Sequence, residues 1–119
     1  MKLFRLEDQN KSGPYRKDNL ERLTADQLEE LERMWNHHNG WNGTYPSIWC
    51  DVLDYDFNMA EYHKCACVSL EALKVWFEGY YDFLLTIGYE LVEMDVPANQ
   101  IFFTRSGKQV AFIDPREVQ

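Results

Sequence analysis

The side chains best equipped for chemistry are few and scattered. His37, His38, His63, Cys65 and Cys67 offer nitrogen and sulfur donors. Structural zinc sites gather closely spaced cysteines on a knuckle, and the run His63-x-Cys65-x-Cys67 has no such turn. Residues two apart on a strand point the same way, so the thiols read as packing groups of a buried strand and no metal is expected. Cys67 stands just before a helix start, a position that depresses a thiol pKa. No base accompanies it in sequence, so no catalytic residue is assigned. The pair His37-His38 closes a helix, where protonated imidazole meets the negative end of the dipole. Capping or anchoring is the expected role there.

Two further constellations concern recognition. Arg5 sits in the middle of LFRLED. A buried arginine needs a partner, and two are open: a nearby glutamate, or a phosphate or carboxylate of a ligand held by the guanidinium fork. The segment from Trp49 to Glu61 interleaves Trp49, Tyr55 and Phe57 with Asp51, Asp54 and Asp56. It reads either as a solvated loop with its rings tucked inward or as a contact face for a basic partner. In the second case rings anchor and carboxylates steer. The glycine-containing pattern of a calcium loop is absent.

The elements that must position these groups follow from periodicity and breakers. Residues 2–7 alternate as a strand, with Leu3 and Arg5 on one face and Phe4 and Leu6 on the other. NKSGPYRKDN is a breaker-rich loop. Thr24 and Gln27 form a capping box, and Leu23 and Leu28 form a hydrophobic staple. The helix they open carries Leu28, Leu31 and Trp35 on one stripe and stops before Asn39-Gly40. Residues 39–61 form a long loop with a short helical turn in SIWCDVLDY, and long ordered loops are often functional. Residues 62–68 read as a buried strand. Ser69 caps the next helix, which points Leu70, Leu73, Trp76 and Phe77 inward and is interrupted at Gly79. YYDFLLTI continues as a second short helix to Gly88. YELVEMDV is a strand ended by Pro97. QIFFT and QVAFI pair as a hairpin across RSGK, where Gly107 supplies the positive φ of a tight turn.

Composition narrows the function classes. At 119 residues, with 45% hydrophobic and 15% aromatic residues, the chain is one ordered domain spanning 1–119. Its net charge of −8 disfavours a general grip on nucleic-acid phosphates and suits a basic protein partner. The odd cysteine count of three argues against a disulfide framework. The opening MKLFRLEDQ is charged at once, and no apolar run approaches the roughly 18 residues of a membrane span. A soluble cytoplasmic protein with reduced thiols and no membrane contact is expected.

Arg5 on the first strand, Ser69 before a helix and Gln109 on a late strand together give a layout that resembles a minimal ADP-ribosyltransferase-like fold. The resemblance implies NAD as cofactor, with Arg5 on a phosphate, Ser69 orienting the nicotinamide ribose and Gln109 on a hydroxyl. It departs from that superfamily at Gln109, which hydrogen-bonds but carries no charge. Either Glu117 or an acid of the 51–61 segment stands in, or the site is silent. FRLEDQNKSGPYR, HHNG, SLEALKVWF and GKQVAF also look like pieces of small phage and prophage proteins. The expected fold is therefore α+β, a small and mostly antiparallel sheet with two or three packed helices. The expected function is that of a phage-type accessory protein binding a host protein with a basic surface, inhibiting a defence system. The contact would be made by Trp41, Trp49, Asp51, Asp54, Tyr55 and Asp56, without a cofactor. The alternative is an NAD-binding protein or enzyme using Arg5, Ser69 and Gln109.

Overall fold

The N-terminal alternation folds as its spacing dictates. In the computed structural model, Lys2–Glu7 forms strand β1. The structure describes residues 1–17, 20–38, 45, 48–51 and 63–117, without the side chains of residues 49 and 50. A 3-10 turn at Leu20–Arg22 precedes helix α1, Ala25–His37. Thr24 accepts from the Gln27 amide, and the Gln27 side chain accepts from the Thr24 amide, so the expected capping box is complete. Ile48–Asp51 makes the short helix α2, within the segment expected to carry a helical turn. Strand β2 is His63–Ala66, helix α3 Leu70–Trp76, helix α4 Tyr81–Thr86 and strand β3 Glu90–Asp95. Strands β4, Ile101–Phe103, and β5, Val110–Ile113, close the chain as an antiparallel hairpin. Gly107 lies in its connection at φ 70°, the backbone region that glycine enters without strain.

The chain is α+β, and its strands are antiparallel throughout the described residues. They form two small sheets, β1 with β3 and β2-β5-β4, rather than the one sheet expected. The two are stitched together where Phe4 and Cys67 exchange both backbone hydrogen bonds, at 2.9 and 2.8 Å. Strand β1 thus stands between the sheets and serves a core on each face. Leu6 joins Leu31, Met34, Leu73, Phe77 and Leu84 under the helices. Leu3 joins Ala66, Val96, Val110 and Phe112 inside the sheet corner. The face assignment of Leu3 against Leu6 was legible from alternation alone.

The Leu3 face continues into charge. Arg5 and Glu7 are both buried and form an ion pair at 2.9 Å. Arg116 grips Glu7 with two guanidinium nitrogens and Asp114 with Nε at 3.0 Å and Nη2 at 2.8 Å. Asp114, fully buried, also takes Lys64 Nζ at 2.9 Å, and Lys64 reaches Glu117 at 3.3 Å. Signs alternate along this chain of six, and it joins the first strand to the C-terminal segment. Burial alone would raise the Asp114 pKa. Hydrogen bonds from Arg116 and Lys64 outweigh it and hold the carboxyl well below its usual range. The glutamate account of Arg5 is therefore the one realised in the fold.

Removing one member of a buried ion pair leaves its partner charged and unmatched. Glu7→Ala is expected to destabilise the protein by about 3–5 kcal/mol in urea unfolding. Glu93→Ala, which breaks an exposed pair with Lys2, is expected to leave the midpoint almost unmoved. Equal effects of the two substitutions would overturn the role assigned to the network.

Candidate functional site

A cleft of about 620 Å³ opens between the loop 10–16, strand β2 and the C-terminal end of α3. The loop is shaped by its own short hydrogen bonds. Asp8 Oδ1 accepts from the amides of Asn10 and Ser12, and Lys11 takes φ 61°. Gly13 passes so close to Arg5 that a Cβ there would lie 3.1 Å from Nη2. Trp35 of α1 donates its indole N–H to the Pro14 carbonyl at 2.8 Å, tying the loop to the helix. These constraints turn Tyr15 and Arg16 toward the cleft.

Tyr15, Tyr45, Trp76, Phe77 and His38 supply an aromatic lining. The His38 and Tyr45 rings stack with centroids 3.7 Å apart. Tyr45 meets Trp76 edge-on at 5.4 Å, and Tyr15 stacks on Phe77 at 5.8 Å. Trp76 Nε1 donates to the Tyr15 hydroxyl at 2.7 Å, and Tyr15 in turn donates to His38 Nδ1 at 2.6 Å. An indole N–H only donates, which fixes the first bond; the second runs from Tyr15 to His38 in the tautomer that carries its proton on Nε2. Desolvation raises the Tyr15 pKa, so its proton stays in place. Desolvation, with a smaller push from His37, lowers the His38 pKa to about 4. At neutral pH His38 is an uncharged acceptor in this relay. It anchors the helix end, with its amide bonded to Met34 and its ring in the cleft wall.

The charged lining is lopsided. Arg5, Lys11, Arg16 and Lys64 face the cleft with Glu117 as the acid among the described lining residues. Arg5 is matched to Glu7, and one of its Nη atoms donates to the Cys65 carbonyl at 3.1 Å. Lys64 is matched to Asp114 and Glu117. Lys11 and Arg16 are exposed and form no ion pair among the described residues.

The sequence-derived candidates are divided by the fold. Arg5 and Gln109 line the cleft, while Ser69 does not. The Ser69 hydroxyl accepts from the Ala72 amide as the N-cap of α3. Gln109 is buried and donates to Asp51 Oδ2 at 3.2 Å, and its carbonyl accepts from Thr104. Asp51 is the clear departure from expectation. It is only 4% exposed, and its carboxylate accepts from the Ser106 amide and hydroxyl as well as from Gln109. It fixes the β4–β5 connection and cannot belong to an exposed acidic face. Trp41, Asp54, Tyr55 and Asp56 lie outside the described residues, as does the side chain of Trp49.

Burial pushes Cys65 up to about 11 and Cys67 up to about 12, so both thiols stay protonated at neutral pH. Among the described residues no group of three histidine, cysteine or acidic side chains is arranged to hold a metal. No helix there is long and apolar enough to cross a membrane. Sequence reasoning missed Tyr15, Arg16 and Lys11. Their signal was present in the KSGPYR stretch, where breakers separate one cation from an aromatic and cation side by side.

A depressed histidine pKa means the unfolded chain takes up a proton before the folded one does. Stability from His38 is fully present above its ordinary value of 6.5 and is lost as pH falls toward about 4. His63, lowered by burial, acts in the same direction. The thermal midpoint should therefore fall between pH 6.5 and 4, and His38→Phe should flatten that slope. An unchanged slope in the variant would refute the neutral-acceptor assignment.

Comparison with known proteins adds one finding. The profile of the family described as Bacteriophage T4 Y00F protein matches residues 1–118. No curated protein and no solved structure matches the chain. A match from the first strand through the charged C-terminal turn takes in every element that builds the cleft, and the chain belongs to the bacteriophage T4 Y00F protein family.

Proposed function

We propose that this phage-family protein is an accessory protein that binds a host protein with a basic surface, and that it does so to inhibit a host function such as defence. The observation that carries the reading is the charge balance. Arg5, Lys64 and Arg116 are matched by Glu7, Asp114 and Glu117. The whole surplus of −8 therefore belongs to the rest of the chain. Surplus negative charge accelerates encounter with a basic partner and selects against acidic ones. The acid and ring pairs Trp49, Asp54, Tyr55 and Asp56, with Trp41, provide anchors of the type that dominate interfaces. Asp51 drops out of that set because its carboxylate is consumed inside the fold.

The test is affinity capture from host extract with tagged wild type and a Trp49→Ala, Asp54→Ala, Tyr55→Ala triple variant, with partners identified by mass spectrometry. One basic host protein, retained by the wild type and lost with the variant and at high salt, is the expected result. Identical capture by both forms would overturn the reading.

The second reading, an ADP-ribosyltransferase-like NAD site, is favoured by one observation. Arg5 and Gln109 line the same cleft. Ser69 stands apart from them as a helix cap, and Arg5 already has its carboxylate. If the reading holds, calorimetry gives NAD binding that weakens with Ser69→Ala. No heat with folded protein at about millimolar NAD removes it.

A further inference from the structure

We propose that the cleft beneath the loop 10–16 is a binding site for a small anion bearing a planar ring, the chemistry of a free mononucleotide. The site stands independently of the host-protein reading. Its volume, about 620 Å³, falls in the range of small-molecule pockets. Its two kinds of lining are the two kinds such a ligand needs. Tyr15 and Trp76 present ring surface to this space, backed by the buried Tyr45. A base gains from stacking there with little dependence on its identity.

The cations select the other half of the ligand. Cation-rich lining in a chain of net charge −8 marks a local reversal of the protein's field. Arg5 and Lys64 do not explain that reversal by themselves, because buried carboxylates match them. Lys11 and Arg16 do. They flank the breaker turn, carry no ion pair among the described residues, and stand on a loop pinned by Asp8, Gly13 and Trp35. A phosphate near them receives charge-assisted hydrogen bonds from groups that need not abandon another partner. The structural alternative, rings filling a core, fits Phe77 and Tyr45, which are 4% and 8% exposed. It does not fit Tyr15, which is 41% exposed yet held in place through Trp76 and His38. A rigid, half-exposed ring beside free cations is a preorganised surface.

The same ring-plus-phosphate chemistry occurs at the end of a nucleic-acid strand. The acidic remainder of the surface repels a longer polyanion, so the free nucleotide is the assigned source.

Isothermal titration of the full chain with the common 5′-nucleoside monophosphates tests the site. Matched arms use the nucleosides, inorganic phosphate and a 5′-phosphorylated oligonucleotide. At least one mononucleotide should bind with sub-millimolar affinity, about tenfold or more tighter than its nucleoside or phosphate alone. The double variant Lys11→Ala, Arg16→Ala, altered only at exposed positions, should lose about tenfold or more in affinity. Lys2→Ala, an exposed cation outside the cleft, should lose none. Trp76→Leu should weaken binding comparably through its ring. No binding of any mononucleotide to folded protein, full retention in the double variant, or phosphate binding as tightly as the nucleotide would each overturn the proposal. Tighter binding of the oligonucleotide would overturn the free-nucleotide assignment. A nucleotide affinity that survives while host capture fails separates this site from the interface reading.

Discussion

The alternating ion chain Arg5–Glu7–Arg116–Asp114–Lys64–Glu117 is the constraint around which the rest is arranged. Two small sheets and short helices bury modest apolar area, and a domain of this size has little stability in reserve. A buried ion pair is weak evidence of net stabilisation compared with an apolar substitute. Its contribution here is to position the ends of the chain. Glu7 is the last residue of β1, and Arg116 lies beyond β5, so their bidentate contact joins elements 109 positions apart in sequence. The contact closes the end of β1 beyond the bridge through which Phe4 meets Cys67 of the other sheet.

The cleft is built against these same strands. Lys64 and Cys65 on β2 and Arg5 on β1 form its inner wall, and each is held by a bond pointing away from solvent. The wall is therefore cationic but internally compensated. Uncompensated charge sits on the adjoining loop, at Lys11 and Arg16, where the Lys11 carbonyl accepts from Lys64 Nζ at 3.3 Å. A site organised this way keeps its shape when empty, because the inner charges do not depend on a ligand for their neutralisation. Affinity then falls to the lip and the rings, which can vary with less damage to the core.

Local rules carried the reading of the fold further than the reading of the site. The Thr24–Gln27 box, the Ser69 cap, the β1 face alternation and the Gly107 turn each depend on a few adjacent residues, and each is realised. The division into two sheets was not legible, because the joint is a single bridge between Phe4 and Cys67. Arg5 was legible as a buried cation in need of a partner, and Glu7 is the adjacent same-face residue on β1. Asp51 was misread for a physical reason. Its acidic neighbours suggested a solvated run, while its partners Ser106 and Gln109 lie more than fifty positions away. The aromatic relay through Tyr15, His38 and Trp76 likewise joins a loop, a helix end and another helix. No window of sequence contains it.

The relay also bears on why so polar a set of rings is tolerated. Here one linear path satisfies the Trp76 N–H, the Tyr15 hydroxyl and His38 Nδ1 in turn, and leaves the buried His38 Nε2 without a partner among the described residues. Burial keeps the imidazole neutral, and the neutral ring is the form that can accept at Nδ1. Protonating His38 would set two donors against each other at Nδ1 and oblige Tyr15 to turn its hydroxyl away. The cleft wall and the charge state of one histidine are thus coupled by geometry. An acidic environment would loosen the Tyr15 lip before it discharged Asp114, whose carboxyl is held well below its usual range.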